Sequence, residues 1–213
     1  VLALKAAYLH AQHPEWRIAV TFNTRSLKGQ FRRLINTFSI EQTGEEPNWE
    51  NLRILNAWGA PGSVERDGIY HEFCRVNDLP YYDFKSARNA FGKNNEFEGA
   101  CNEALKNVKC AKKLYDVILV DEAQDFSPAF LRLCYKCLDD NKLLVYAYDE
   151  LQNLSGESMP SPEEIFGKNP DGTPLVSFQE LQPGEPQRDI ILEKCYRNSR
   201  PILVTAHALG FGI

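Results

Sequence analysis

The segment YDVILVDEAQDFSP, Tyr115 to Pro128, passes from an apolar run straight into Asp121, Glu122, Gln124 and Asp125. A carboxylate pair that closes a buried strand is suited to meet a cation, a phosphate or a reacting water. In a nucleotide triphosphatase the first carboxylate holds Mg²⁺, often through water, and the second polarises the attacking water. A bare Asp-Glu also fits a solvated strand end beside a helix N-cap. The five residues DEAQD behind four aliphatics, Val117 to Val120, favour the chemical reading.

Two further apolar runs end alike, in VYAYDELQ and ILEKCYRN. In a parallel sheet such ends share one edge, where ligands of open α/β sheets bind. Asp121, Glu122, Asp149, Gln152, Tyr196 and Arg197 are therefore expected to converge. Gln152 is placed to orient a water or sense a terminal phosphate, and Arg197 to neutralise charge that develops during transfer. A second chemistry is legible upstream, where Arg25, Lys28, Arg32 and Arg33 fall within nine residues, beside Phe22. Cations that neutralise a backbone, with an aromatic on which a base stacks, hold single strands without sequence preference. The alternative is a solvated helix face.

The elements that must position these residues alternate. VLALKAAYLHAQ reads as a helix closed by Pro14, Arg17 to Phe22 as a strand, and NTRSLKGQFRRLINTF as a basic amphipathic helix. Leu52 to Trp58 reads as a strand followed by the turn GAPGS, and residues 76–112 as a small helical insertion. YDVILV is the next strand. A helix from about Ser127 to Leu138 follows, with Pro128 just inside its start, then a strand from Lys142 to Asp149. A loop rich in Pro, Gly and Ser spans Gly156 to Gly184, with a short strand at Leu175 to Phe178. RDIIL then gives a last strand, a turn and the start of a helix. Strands that are apolar on both faces and alternate with helices imply an α/β fold with a parallel, doubly covered sheet. Its core is expected over residues 1–75 and 113–213.

A net charge of -5 and a pI near 5.5 exclude a protein that coats nucleic acid through its total charge, so local basic stripes matter more. No run reaches the ~18 to 20 apolar residues of a membrane span, and the N-terminus lacks the order of a signal peptide. The chain reads as soluble and cytoplasmic, without a membrane partner. Six cysteines include Cys134 and Cys137 in one C-x-x-C, inside an apolar helical run. They read as buried, reduced core thiols, with zinc or redox chemistry as the alternative.

Taken in order, VTFNTRSL, VDEAQD, AYDELQNL and CYRNSRPIL resemble motifs Ia, II, III and IV of the ATPase core of UvrD/Rep-like superfamily 1 DNA helicases, over about Arg17 to Leu203. The resemblance implies a RecA-like P-loop NTPase fold that uses ATP and Mg²⁺ and moves on single-stranded DNA in the 3′ to 5′ sense, with RNA as a further possibility. It makes Asp121 the magnesium ligand, Glu122 the general base and Gln152 the link between terminal phosphate and DNA surface. Tyr196 stacks on the adenine and Arg197 is an arginine finger. Phe22, Asn23 and Arg25 lie on the single-strand track, with Trp58 a further candidate.

The departures are as informative. No G-x-x-x-x-G-K-[ST] loop occurs, and neither Gly92-Lys93-Asn94 nor Gly167-Lys168-Asn169 supplies one. The helix at Val1 has the composition of the one that follows this loop in the family. A second RecA-like domain is expected beyond Ile213, and NLSGESMPS lacks the Trp-Arg element of motif III. The chain therefore reads as part of a first motor domain whose partners are single-stranded DNA and the remainder of the helicase chain. Alone it is expected to hydrolyse little ATP. The missing P-loop strand, expected beside the motif II strand, would leave a gap, an exposed edge or a replacement strand. Two rivals remain: a non-catalytic helicase-like binding module, and the motor of a helicase-nuclease or restriction-associated ATPase.

Overall fold

Six residues, Tyr115–Val120, form strand β3, and all but Asp116 are buried. Burial on both faces requires helices above and below, and the rest of the chain supplies them. In the computed structural model, residues 1–24, 26–149, 159–178, 188–192 and 199–211 are described. The elements are α1 (Leu2–Gln12), β1 (Ile18–Phe22), α2 (Leu27–Thr43), β2 (Leu52–Asn56), α3 (Ile69–Val76), α4 (Phe84–Phe91), α5 (Glu96–Asn107), β3, α6 (Pro128–Cys137), β4 (Leu138–Tyr146), α7 (Pro162–Phe166) and α8 (Arg200–Phe211).

The four strands are all parallel, in the order β2-β1-β3-β4. Val20 stands opposite Ile54 on one side and Leu119 on the other, which fixes the register of β1. The fold is thus the expected α/β arrangement, a parallel sheet covered by helices. Alternation along the strands divides two packing faces. Ile18, Val20 and Phe22 of β1 join Val117 and Leu119 of β3 in one cluster with Ala3 and Ala6 of α1 and Phe31 and Ile35 of α2. Arg53 of β2 points the other way, to Glu72 of α3, while α3 and α5 pack on α6. Helix α2 ends at Gly44, whose φ of 79° allows its N–H to cap the Ile40 carbonyl at 2.9 Å.

The chain divides into two compact units, Val1–Asn153 with Glu157–Met159, and Leu154–Gly156 with Pro160–Ile213. Helices α4 and α5, from the segment read as an insertion, belong to the same unit as the sheet. In the second unit, a reciprocal Ser161–Glu164 capping box starts α7. Among the described residues no helix is long and apolar enough to cross a membrane.

Several expectations are corrected. Of the gap, exposed edge or replacement strand expected beside β3, the gap is ruled out, because β1 and β4 occupy both its sides. β4 begins at Leu138, earlier than Lys142, because the chain makes an irregular step: Tyr115 pairs with Leu138 and Val117 with Leu143. Lys142 takes a φ of 55° there, and Asp139 turns the chain by accepting from the Asn141 amide at 3.0 Å. β4 is also only half-buried, with Leu143 38% exposed, where an apolar run had implied cover on both faces. Leu175 to Phe178 and residues 188–192 form no strand, and Ile190, Ile191 and Leu192 are exposed. Apolar, β-branched composition favours a strand, but only a partner's hydrogen bonds make one.

Candidate functional site

At the end of β3 the backbone is held from both sides. Asp121 N–H donates to the Thr21 carbonyl of β1 at 2.9 Å. On the β4 side Ala147 N–H donates to the Val120 carbonyl at 2.9 Å, and Ala123 N–H to the Ala147 carbonyl at 2.8 Å. Glu122 sits between these anchors in the left-handed region, at φ 51° and ψ 53°. A 3-10 turn over Ala123–Asp125 follows, plugged into the core by buried Ala123 and Phe126. Ser127 is extended and Pro128 starts α6, as its missing N–H allows.

The side chains on this turn form a connected set. Gln124 Nε2 donates to Glu122 Oε2 at 2.6 Å, and its Oε1 accepts from the Asp149 N–H at 3.2 Å. Gln124 thus ties the Glu122 carboxylate to the chain leaving β4. Sequence reasoning assigned this residue no role, although it stands in DEAQD. Burial pushes the Asp121 carboxyl above the ordinary carboxylate range, and the Glu122 charge adds to that, against a hydrogen bond from the Glu122 N–H that pulls it down. The Asp125 carboxyl is raised for the same two reasons, burial first and Glu122 second.

Partly desolvated anions side by side are stabilised by a cation. Among the described residues no group of three or more His, Cys, Asp or Glu side chains converges as a metal cage. The donor set fits Mg²⁺, which takes one or two carboxylates and completes its shell with water and phosphate oxygens. Asp121 is the residue that would hold it. Two buried polar atoms on the strand ends have no hydrogen-bond partner among the described residues, Thr21 Oγ1 and Asn56 Oδ1.

The other predicted site residues fare differently. Asn23 is exposed directly after β1, on the same sheet edge as Asp121. Arg25, Gln152, Tyr196 and Arg197 lie outside the described residues. Phe22 requires a correction: it is 0% exposed and stacks on Phe31 at 5.5 Å, so its ring serves the core and not a base. Trp58 is half-buried and partly engaged in packing. Its ring stacks on Phe97 at 4.9 Å and its Nε1–H donates to the Tyr82 carbonyl at 2.9 Å. Within the basic cluster Lys28 pairs with Glu65 at 3.2 Å, whereas Arg32 lies over the Trp49 ring at 4.6 Å. Cys134 and Cys137 are fully buried in α6, and burial pushes both thiols well above their ordinary range, which keeps them protonated and inert. Compared with known proteins, the chain matches no family model, no curated protein and no solved structure.

Proposed function

We propose that this chain is part of the first motor domain of a UvrD/Rep-like ATP-dependent DNA helicase or translocase, which couples MgATP hydrolysis to 3′ to 5′ movement on single-stranded DNA. The observation that carries this reading is the Asp121–Glu122 pair at the end of a central parallel strand, pinned to both neighbouring strands. Magnesium would supply charge neutralisation for the phosphates and lie against Asp121. Glu122 takes a proton from the attacking water, and Gln124 holds its carboxylate in place through the 2.6 Å bond. The bond from Gln124 to the Asp149 amide makes the position of Glu122 depend on the chain after β4, the segment that resembles motif III. Asn23, on the same edge, is placed to touch the single strand. Tyr196 and Arg197 contribute adenine stacking and an arginine finger by resemblance alone.

The test is MgATP hydrolysis by the whole protein, with and without single-stranded DNA, beside its Glu122→Gln variant. DNA-stimulated turnover that falls by about 10²- to 10⁴-fold in the variant is the expected result, the usual weight of a general base. Turnover unchanged in Glu122→Gln would remove the base from its role. A whole protein without turnover would leave a non-catalytic binding module.

A further inference from the structure

A groove of about 410 Å³ runs along α2 and is lined by Gly29, Arg32, Arg33, Asn36, Glu46 and Trp49. A second, of about 360 Å³, shares Gly29 and Arg32 and reaches Asn56 at the end of β2. Together they connect the edge of the sheet that bears Asn23 and Asp121 to the segment that leads into β2. From Lys28 to Asn36 the helix rises about 12 Å.

The charges along this path are unevenly matched. Glu65 is taken by Lys28, and Glu46 accepts from Asn36 Nδ2 at 3.4 Å. Arg32 and Arg33 are exposed and have no carboxylate partner among the described residues, in a chain whose net charge is -5. Trp49 packs against the core and carries the Arg32 guanidinium over its ring. A guanidinium over an indole is a planar cation on which a base can stack, and unpaired bases are what such planes receive.

We propose that this groove binds single-stranded nucleic acid, with one base stacked on Arg32 above Trp49 and the adjoining phosphate held by Arg33. The inference rests on the function proposed above and extends the strand's path from the sheet edge down the side of α2. A duplex keeps its bases stacked inside and has none to give Arg32. Gly29 lies where the two grooves meet, and a Cβ added there meets nothing within 4 Å.

The experiment is fluorescence anisotropy of a labelled oligothymidylate of about a dozen nucleotides with the full chain, between about 50 and 200 mM salt. Arg32→Lys keeps the charge and loses the plane, so affinity falls about tenfold at an unchanged salt slope. Arg33→Gln lowers the slope of log affinity against log salt by about 0.7, one phosphate contact on a single strand. Gly29→Glu fills the junction with an anion and binds at least about tenfold more weakly, yet melts no lower because Glu is the better helix former. Wild-type affinity in all three variants, with binding still lost in Asn23→Ala, confines the strand to the sheet edge and overturns the groove alone. Displacement by polyglutamate as readily as by unlabelled oligothymidylate overturns it in favour of an acidic polypeptide. No binding by the unaltered chain overturns the groove and the single-strand part of the proposed function together.

Discussion

Replacing Glu122 by Gly and by Ala separates the backbone strain at the site from its chemistry. Glu122 is left-handed because its neighbours are fixed: Asp121 N–H is tied to β1 and Ala123 N–H to the chain after β4. A residue with a Cβ is disfavoured there by about 1–2 kcal/mol, and Gly is not. Gly loses about 0.5–1 kcal/mol more than Ala in chain entropy on folding. Both variants lose the same carboxylate and the same bond to Gln124, so those losses cancel in the comparison. At the centre of the two ranges the difference leaves Glu122→Gly more stable than Glu122→Ala by about 0.75 kcal/mol, the reverse of their order inside a helix. Urea unfolding followed by tryptophan fluorescence reads this as a higher midpoint at an unchanged slope. An Ala variant as stable as the Gly variant, or more so, would show that the turn relaxes on substitution and that Glu122 is not held in strain.

Two more outcomes follow from the charges. Asp121 is held above its ordinary range, so folding favours its neutral form; that advantage is complete below the unfolded value of 3.8 and is lost as pH rises through the raised value. Asp121→Asn therefore unfolds at higher urea than wild type at neutral pH, and the gap closes towards pH 3.8, as urea midpoints across pH would record. In the other direction, Arg53 donates to Glu72 at 2.8 Å through both carboxylate oxygens and to Asp67 at 3.0 Å, and the Tyr115 hydroxyl also donates to Glu72. Glu72→Ala leaves the guanidinium and the phenol short of an acceptor under α3. Because Arg53 keeps Asp67 and some solvent, the loss is about 2 kcal/mol, below the 3–5 of a fully buried pair, measured by urea unfolding.

By itself the sequence determined the two central strands, β1 and β3, that the sheet buries on both faces. A continuous apolar run such as YDVILV has no solvated face, and its polar ending marks where the buried length stops. It also determined the start of α6, because Pro128 lacks the N–H that a helix leaves unpaired in its first turn. The Asp121–Glu122 pair was legible for the same reason. Tertiary structure alone decided the rest. Strand order could not be read because each of β1 and β3 is apolar enough for any interior place, and only the ladders put β4 beside β3. Phe22 ends its strand, and an aromatic there suits a core as well as a ligand until Phe31 is seen to cover it. The meeting of Arg32 with Trp49, and the tie from Gln124 to Asp149, join residues 17 and 25 apart in sequence. Local composition carries no record of such contacts, because they exist only once helices and strands have packed.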